Sequence, residues 1–279
     1  MWILNSDKNI EYVTHHEIGM GITFPFWERR FSDGRYKSTG VSFHIDTRHS
    51  MTPPDWLIDE YANAGSEHID PDAVSGYDER TPFDPRREVA LLRAAGIDAA
   101  DTVVDVGSGT GVFAVAMAEY CAQVIGVDIS AAMIDVARDR ATEFENITFV
   151  RSGIVDYHHT GPPVAAVFSR NTFHHLPAFW KVEGLKTVAS ILEPGGIFRY
   201  RDIVYSFDPW DSTDAIDSWI DARTEAGMDR DVAIQHVRDE YSQYTSLMEA
   251  MLESVGFEIL DRTYHDDCYG YYTCRWPGG

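Results

Sequence analysis

The sequence predicts a doubly wound α/β fold, a mostly parallel sheet with helices on both faces. Three observations carry this prediction. From Asp101 onward, short β-branched runs alternate with apolar helical patterns, which implies parallel strands joined by crossover helices. One strand-to-helix turn, within Thr102 to Ala118 (TVVDVGSGTGVFAVAMA), is rich in glycine. Two further strand-like runs follow the last helix and read as an antiparallel terminal pair.

Taken in order, the first 82 residues stand apart from this alternation. Ile22–Trp27 and Tyr36–Ile45 flank Asp33-Gly34, a turn pair that predicts a hairpin. Pro53-Pro54 opens a short helix over Trp56–Asn63, and 64–82 is polar and turn-rich, holding His68, Tyr77 and Asp78. Phe83–Ala95 is amphipathic, with Val89, Leu91, Leu92 and Ala95 apolar and Gly96 as its stop. Strands are then expected at Thr102–Val106, Gln123–Asp128, Ile147–Arg151, Ala165–Ser169 and Gly196–Ile203. Helices are expected at Gly111–Tyr120, Ala131–Phe144 and Phe179–Leu192, the last ended by Glu193-Pro194-Gly195-Gly196. Asp208–Glu240 reads as an acidic helical insertion. Gln243–Val255 is an amphipathic helix stopped by Gly256, and Phe257–Thr263 and Tyr269–Arg275 form the terminal pair. The organisation is thus an extension, 1–82, and a main domain, 83–279, with an insertion at about 208–240.

The glycine turn carries the chemistry. Gly107, Gly109 and Gly111 remove the Cβ atoms that would keep a ligand from the backbone and from the following helix N-terminus. The third glycine comes too early for the dinucleotide fingerprint G-x-G-x-x-G, and Val112 stands where that pattern needs Gly or Ala. Asp105, on the strand before the turn, suits a ligand with positive charge and not a pyrophosphate. Val124–Ser130 is a second short strand ending in Asp128, roughly 20 residues past the glycines, where an acid binds both hydroxyls of a ribose. Ser130 is placed to cap the next helix, with Met133, Ile134 and Ala137 on one face.

DVGSGTG, GVDIS and Met133 resemble the class I S-adenosylmethionine-dependent methyltransferases, and the order of elements follows that family from about Asp98 to Cys274. The resemblance implies a seven-stranded sheet, S-adenosylmethionine as cofactor, and an N-terminal segment lying over the cofactor as a lid. It implies that Asp105, Gly107, Ser108, Gly109 and Gly111 line the methionine end, that Asp128 takes the ribose, and that Ile129 and Met133 pack near the adenine. Gly153 and Ile154 would bring a backbone N–H to the adenine ring, although Ser152-Gly153-Ile154 departs from the commoner G-D-A pattern. Asp156 is a weaker member of that set. Arg170 completes the expected cofactor set.

Composition narrows the partners. The chain has 279 residues, 44% of them hydrophobic, enough for a sizeable core. Its net charge of −22 argues against a nucleic-acid substrate, which needs a Lys/Arg surface. Lysine occurs only at positions 8, 37, 181 and 186, and Asp outnumbers Glu. This bias fits salt adaptation, a GC-rich genome, or simply an acidic enzyme. Cys121, Cys268 and Cys274 are odd in number and lack C-x-x-C spacing, so they read as reduced thiols of a cytoplasmic protein. No N-terminal stretch reads as a signal peptide or a membrane span. A small-molecule substrate is expected, with monomer and homodimer both open.

Acceptor residues are expected at the carboxyl ends of the strands, where ligands of open α/β sheets sit. Ser169-Arg170-Asn171-Thr172-Phe173-His174-His175-Leu176 ends one strand, and Arg199-Tyr200-Arg201-Asp202-Ile203-Val204-Tyr205 ends the next. Asn171, His174, Arg201 and Tyr205 are the catalytic candidates. Against these stand plainer roles: either histidine capping a helix, and Arg201 pairing with Asp202. The acceptor pocket is expected between these two strand ends and an insertion carrying His236 and Tyr241. Three His-His pairs occur, but adjacent side chains of extended chain point apart, and no H-x-x-x-H spacing is present, so no metal is expected. No G-x-S-x-G elbow supports hydrolysis. Two other functions remain: a non-catalytic S-adenosylmethionine-binding sensor, and an NAD(P) oxidoreductase, which the misplaced glycine and Asp105 disfavour.

Overall fold

The computed structural model describes the backbone of residues 13–18, 22–27, 29–30 and 36–37, and residues 56–279. Two compact units are present, Met1–Thr52 and Pro53–Gly279. The division falls before Pro53, so 56–82 belongs to the larger unit.

In the first unit β1 (Val13–Ile18) pairs antiparallel with β2 (Ile22–Trp27), and β3 (Arg29–Arg30) with β4 (Tyr36–Lys37). The expected hairpin of Ile22–Trp27 with Tyr36–Ile45 is therefore corrected. Ile22–Trp27 takes the preceding strand as its partner, and among the described residues Arg29 with Lys37 and Arg30 with Tyr36 form the second ladder. Asp33-Gly34, 38–45 and Pro53-Pro54 lie outside the described residues.

The larger unit starts with four one-turn helices: α1 (Glu60–Asn63), α2 (Ser66–Ile69), α3 (Pro71–Val74) and α4 (Tyr77–Arg80). Asp59 and Asp70 cap α1 and α3 by accepting the N–H of Ala62 and Asp72. The turn-rich composition of 64–82 thus yields successive single turns. α5 (Arg86–Ala94) follows, buried along Val89 and Leu92.

The alternation then proceeds as β5 (Thr102–Val106), α6 (Val112–Ala118), β6 (Gln123–Asp128), α7 (Ala131–Arg140), β7 (Ile147–Arg151), β8 (Val164–Arg170), α8 (Ala178–Ile191) and β9 (Leu192–Tyr205). The insertion forms α9 (Ser212–Glu225) and α10 (Arg230–Asp239). β10 (Gln243–Tyr244), α11 (Thr245–Val255), β11 (Glu258–His265) and β12 (Tyr269–Arg275) complete the chain. The sheet order is β11-β12-β9-β8-β5-β6-β7, with β12 antiparallel to both neighbours and β10 a two-residue parallel addition to β9. β8 sits mid-sheet between helical layers, and its first six residues are buried, as a strand covered on both faces requires.

Glu193–Gly196 is absorbed into the start of β9 as an irregularity. The register moves from Val164 opposite Leu192 to Ala166 opposite Ile197. One core cluster lies around β8, β9, α8 and α11, a second around α5 and α6, and a third, smaller one holds Trp219, Ile220, Ala233 and Cys268 under the insertion. The three cysteines are buried thiols. No helix among the described residues is long and apolar enough to cross a membrane.

Candidate active site

Strand order places the chemistry. The carboxyl ends of β6, β5 and β8 lie side by side and carry Asp128, the glycine turn and Arg170-Asn171, and Arg201 of the neighbouring β9 pairs in register with Arg170, four residues before that strand ends. A cleft opens over the first three of these, and Arg201 does not line it.

The turn between β5 and α6 needs its glycines. Gly107, Gly109 and Gly111 have φ of 69°, 51° and 79°, all left-handed. A Cβ on Gly107 would lie 1.9 Å from Thr172 Oγ1, so the β8 loop packs directly on that backbone. A Cβ on Gly109 would meet nothing within 4 Å. Gly109 therefore needs no side chain for its left-handed turn and keeps this stretch of the cleft floor open.

Two acids meet beneath it. Asp105 is 2% exposed, and its Oδ2 has no hydrogen-bond partner. Burial, and then the neighbouring Asp128, pushes its carboxyl well above the usual carboxylate range. A buried carboxylate with one oxygen unpartnered, beside an open backbone cradle, fits a ligand bearing an ammonium or sulfonium group. Asp128 accepts the N–H of Gly109 and of Ser130, both at 2.8 Å, so it also fastens the turn to β6. Ser130 caps α7 by accepting the Met133 N–H at 3.1 Å. Ile129, Met133, Ser108, Gly153 and Ile154 all line the cleft.

Ile154 lines the cleft, with its backbone N–H already engaged. Its N–H donates to Glu60 at 3.0 Å, and the Val155 N–H donates to the same carboxylate at 2.8 Å. The Glu60 carboxylate fills the place a Cβ of residue 153 would take, 2.1 Å away. Burial raises its carboxyl to about 7. Sequence reasoning missed Glu60, because nothing local joins it to a loop 94 residues later. The absent acid of the G-D-A pattern was the available signal. Asp78 of α4 likewise accepts from Thr110 Oγ1 at 2.6 Å and pairs with Arg140, while Tyr77 and His68 join the wall.

On the β8 side, Asn171 lines the cleft in a left-handed conformation (φ 52°), with Oδ1 buried and unpartnered. A non-glycine residue held there carries strain of a kind found at functional positions. Of the histidine pair, His175 lines the cleft and His174 does not. His174 is 4% exposed; its Nδ1 pairs with Asp202, and its Nε2 lies 3.4 Å from Glu240. Burial alone would lower its imidazole, but Asp202 and Glu240 hold it above its ordinary value. Burial, then His174, drives His175 well below the ordinary histidine range, leaving a neutral ring.

The expectation that adjacent histidines point apart holds for extended chain and fails here. Residues 173–175 form a 3-10 turn with the two rings 4.1 Å apart, and ligand atoms of His174, His175 and Glu240 lie within 4.8 Å of one another. Lys181, pushed down to about 8 by burial, donates to the carbonyls of Phe173, Leu176 and Tyr241. His236 Nδ1 meets Glu240 at 2.5 Å.

Tyr205 is set apart from the cleft. It stacks on Phe207 and meets Tyr244 edge-on against the insertion's own core, and burial raises its phenol to about 12. Among the described residues no insertion side chain lines the cleft. The insertion instead meets His174, behind the cleft, through Glu240 and through the Tyr241 N–H, which donates to the His174 carbonyl at 2.8 Å. Arg201 does not pair with Asp202. Alternation puts them on opposite faces of β9, and Asp202 serves His174 and Tyr200.

Comparison with known proteins agrees with this geometry. A family described as a methyltransferase domain matches residues 103–196. The demethylmenaquinone methyltransferase of Tropheryma whipplei (strain Twist) is 32% identical over 109 residues, 38% of this chain and 44% of that one. The match thus spans less than half the length of that relative. An uncharacterized methyltransferase of Bacillus pumilus (strain SAFR-032) is 28% identical over 195 residues, 67% of this chain and 83% of its own. Among solved structures, magnesium protoporphyrin IX methyltransferase from Synechocystis PCC 6803 with bound SAM superposes with a TM-score of 0.55 at 15% identity. The superposition covers 80% of this chain and 99% of that one, a likeness of fold.

Proposed function

We propose, for a chain that belongs to the class I S-adenosylmethionine-dependent methyltransferases, that the cleft binds S-adenosylmethionine and that the protein transfers its methyl group to a small-molecule acceptor. The carrying observation is the buried Asp105 carboxylate, which holds the Ala114 N–H and leaves its Oδ2 without a partner, beside the open glycine turn. A buried charge without a partner is costly, and a cationic ligand supplies the missing one. Asp105 would meet the amino group, the turn of Gly107, Ser108, Gly109 and Gly111 the methionine backbone, and Asp128 the ribose hydroxyls. Ile129, Met133 and Gly153 would flank the adenine, with Glu60 in reach of its edge.

The cofactor supplies an already electrophilic methyl on sulfur, so the protein mainly has to align two partners and exclude water. Asn171 offers its free Oδ1 at the β8 edge of the cleft. His175, neutral and cleft-lining, is better placed than His174 to take a proton from an acceptor that carries one. His174 is a positioning residue, held by Asp202 and Glu240 behind it. A small acceptor is supported by relatives named for demethylmenaquinone, ubiquinone biosynthesis and magnesium protoporphyrin IX, and by a net charge of −22 that opposes nucleic acid.

Calorimetry tests the donor site. S-adenosylhomocysteine is expected to bind with release of protons, since its ammonium group lowers the raised Asp105 pKa, while NADH gives no heat. NADH binding with no response to S-adenosylhomocysteine would reject the proposal.

A further inference from the structure

We propose that Arg170 and Arg201 form an anion site that receives a carboxylate of the methyl acceptor, so that the substrate is a carboxylate-bearing small molecule; this rests on the reading that the adjoining cleft holds the methyl donor. The two residues are register partners, Arg170 at the end of β8 and Arg201 four residues before the end of β9. Both guanidinium groups lie over the ring of Phe83, Arg170 at 4.4 Å and Arg201 at 5.6 Å from its centre, and Arg201 also lies 4.6 Å over Tyr271. Stacking of this kind occupies guanidinium faces and leaves the N–H edges for in-plane bonds. Those edges are unmatched. The Nε of each is buried without a hydrogen-bond partner, and neither residue forms an ion pair among the described residues.

Arg199 is the internal contrast. It lies two residues earlier on the same face of β9, and its Nε donates to Glu88 at 2.6 Å and its Nη1 to Thr273 at 3.1 Å. The fold therefore supplies a buried counter-charge to one arginine of this face and withholds it from the next. Two neighbouring cations in a partly buried place repel each other, and the Arg170 guanidinium is lowered by burial and by Arg201. In a chain with 45 acidic and 23 basic residues, a counter-charge was readily available and is missing.

Arg170 lines the donor cleft and Arg201 does not, and sheet order offsets the pair from the two acids of that cleft. Asp128 and Asp105 belong to β6 and β5, Arg170 and Arg201 to β8 and β9, and neighbouring strands lie about 4.8 Å apart. Arg201 is thus three strand spacings from Asp128. Two stacked forks, each with an unpartnered Nε, match the planar, four-lone-pair geometry of a carboxylate.

The test is calorimetry on the full chain saturated with S-adenosylhomocysteine, with benzoate and inorganic phosphate as probes, on wild type, Arg170→Gln and Arg201→Gln. Benzoate is expected to bind wild type and to bind each variant at least about tenfold more weakly. The unliganded variants should melt no lower than wild type, because each loses a like-charge neighbour, whereas Arg199→Gln should melt lower. Three results would overturn the inference: no benzoate binding to the saturated wild type, a preference for phosphate, or lower melting of both variants. A fourth is a tenfold loss of S-adenosylhomocysteine affinity in both variants with 5′-methylthioadenosine affinity unchanged, which would identify the anion as the donor's own carboxylate. Failure of wild type to bind S-adenosylhomocysteine would overturn the donor-site reading and this inference together.

Discussion

Arg199 and Glu88 meet at 2.6 Å with side chains 1% and 2% exposed, joining β9 to α5 across 111 positions of sequence. Such a pair offsets its desolvation only while both partners are present, and breaking it leaves a buried charge. Glu88→Ala is expected to lower stability by about 3–5 kcal/mol. The double replacement Glu88→Leu with Arg199→Met should recover most of that loss. Denaturant unfolding of the three proteins checks both statements, and a neutral single variant would contradict them.

Asp128→Ala removes a charged acceptor from the ribose site and also frees the N–H groups of Gly109 and Ser130. S-adenosylhomocysteine binding should weaken by about 2 kcal/mol or more. The fold should persist, since Asp128 ends its strand, with a melting temperature lowered by the loosened turn. An unchanged affinity would place the ribose elsewhere.

Glu60 sets a pH dependence for the contact between α1 and the β7 loop. Its carboxyl titrates near 7 in the folded protein against 4.5 for the free group, because burial outweighs the two N–H donors. Between those values the folded state keeps a proton the opened state has lost, so the contact weakens as pH rises from 4.5 to 7 and levels above. Hydrogen exchange at the amides of Ile154 and Val155, corrected for intrinsic rates, should show more opening at the upper end of this window than at its lower end. Glu60→Gln should remove the difference. Added S-adenosylhomocysteine should slow exchange across 56–82, as a lid over the cleft requires.

No metal requirement is expected, despite the gathering of His174, His175 and Glu240. Asp202 and Glu240 already share the His174 imidazolium between them, with the Lys181 ammonium close by, so the acids have their counter-charge. Dialysis against a chelator should leave S-adenosylhomocysteine affinity and methyl transfer unchanged. A stoichiometric bound metal, with activity restored only on its return, would reverse this.

The strands of the main sheet were legible because each is a short β-branched run bounded by turn residues, and Thr102–Val106, Gln123–Asp128 and Ile147–Arg151 form as the pattern predicts. The glycine turn was legible for a local reason too, since left-handed backbone at three alternate positions is a demand that glycine meets and other residues meet poorly. Adjacent-residue logic misled at His174-His175, where the chain leaves its strand for a 3-10 turn and the two rings come together.

By itself, then, the sequence determined the alternation, the glycine turn and the two acids at its strand ends, all set by interactions within a few residues. The tertiary structure alone decided that Glu60 reaches the loop after β7, that His175 and not His174 lines the cleft, and that Glu88 neutralises Arg199 while Arg201 stays unpaired. These are contacts between side chains distant in the chain. Their partners are chosen by sheet order and burial, which no local pattern of residues encodes.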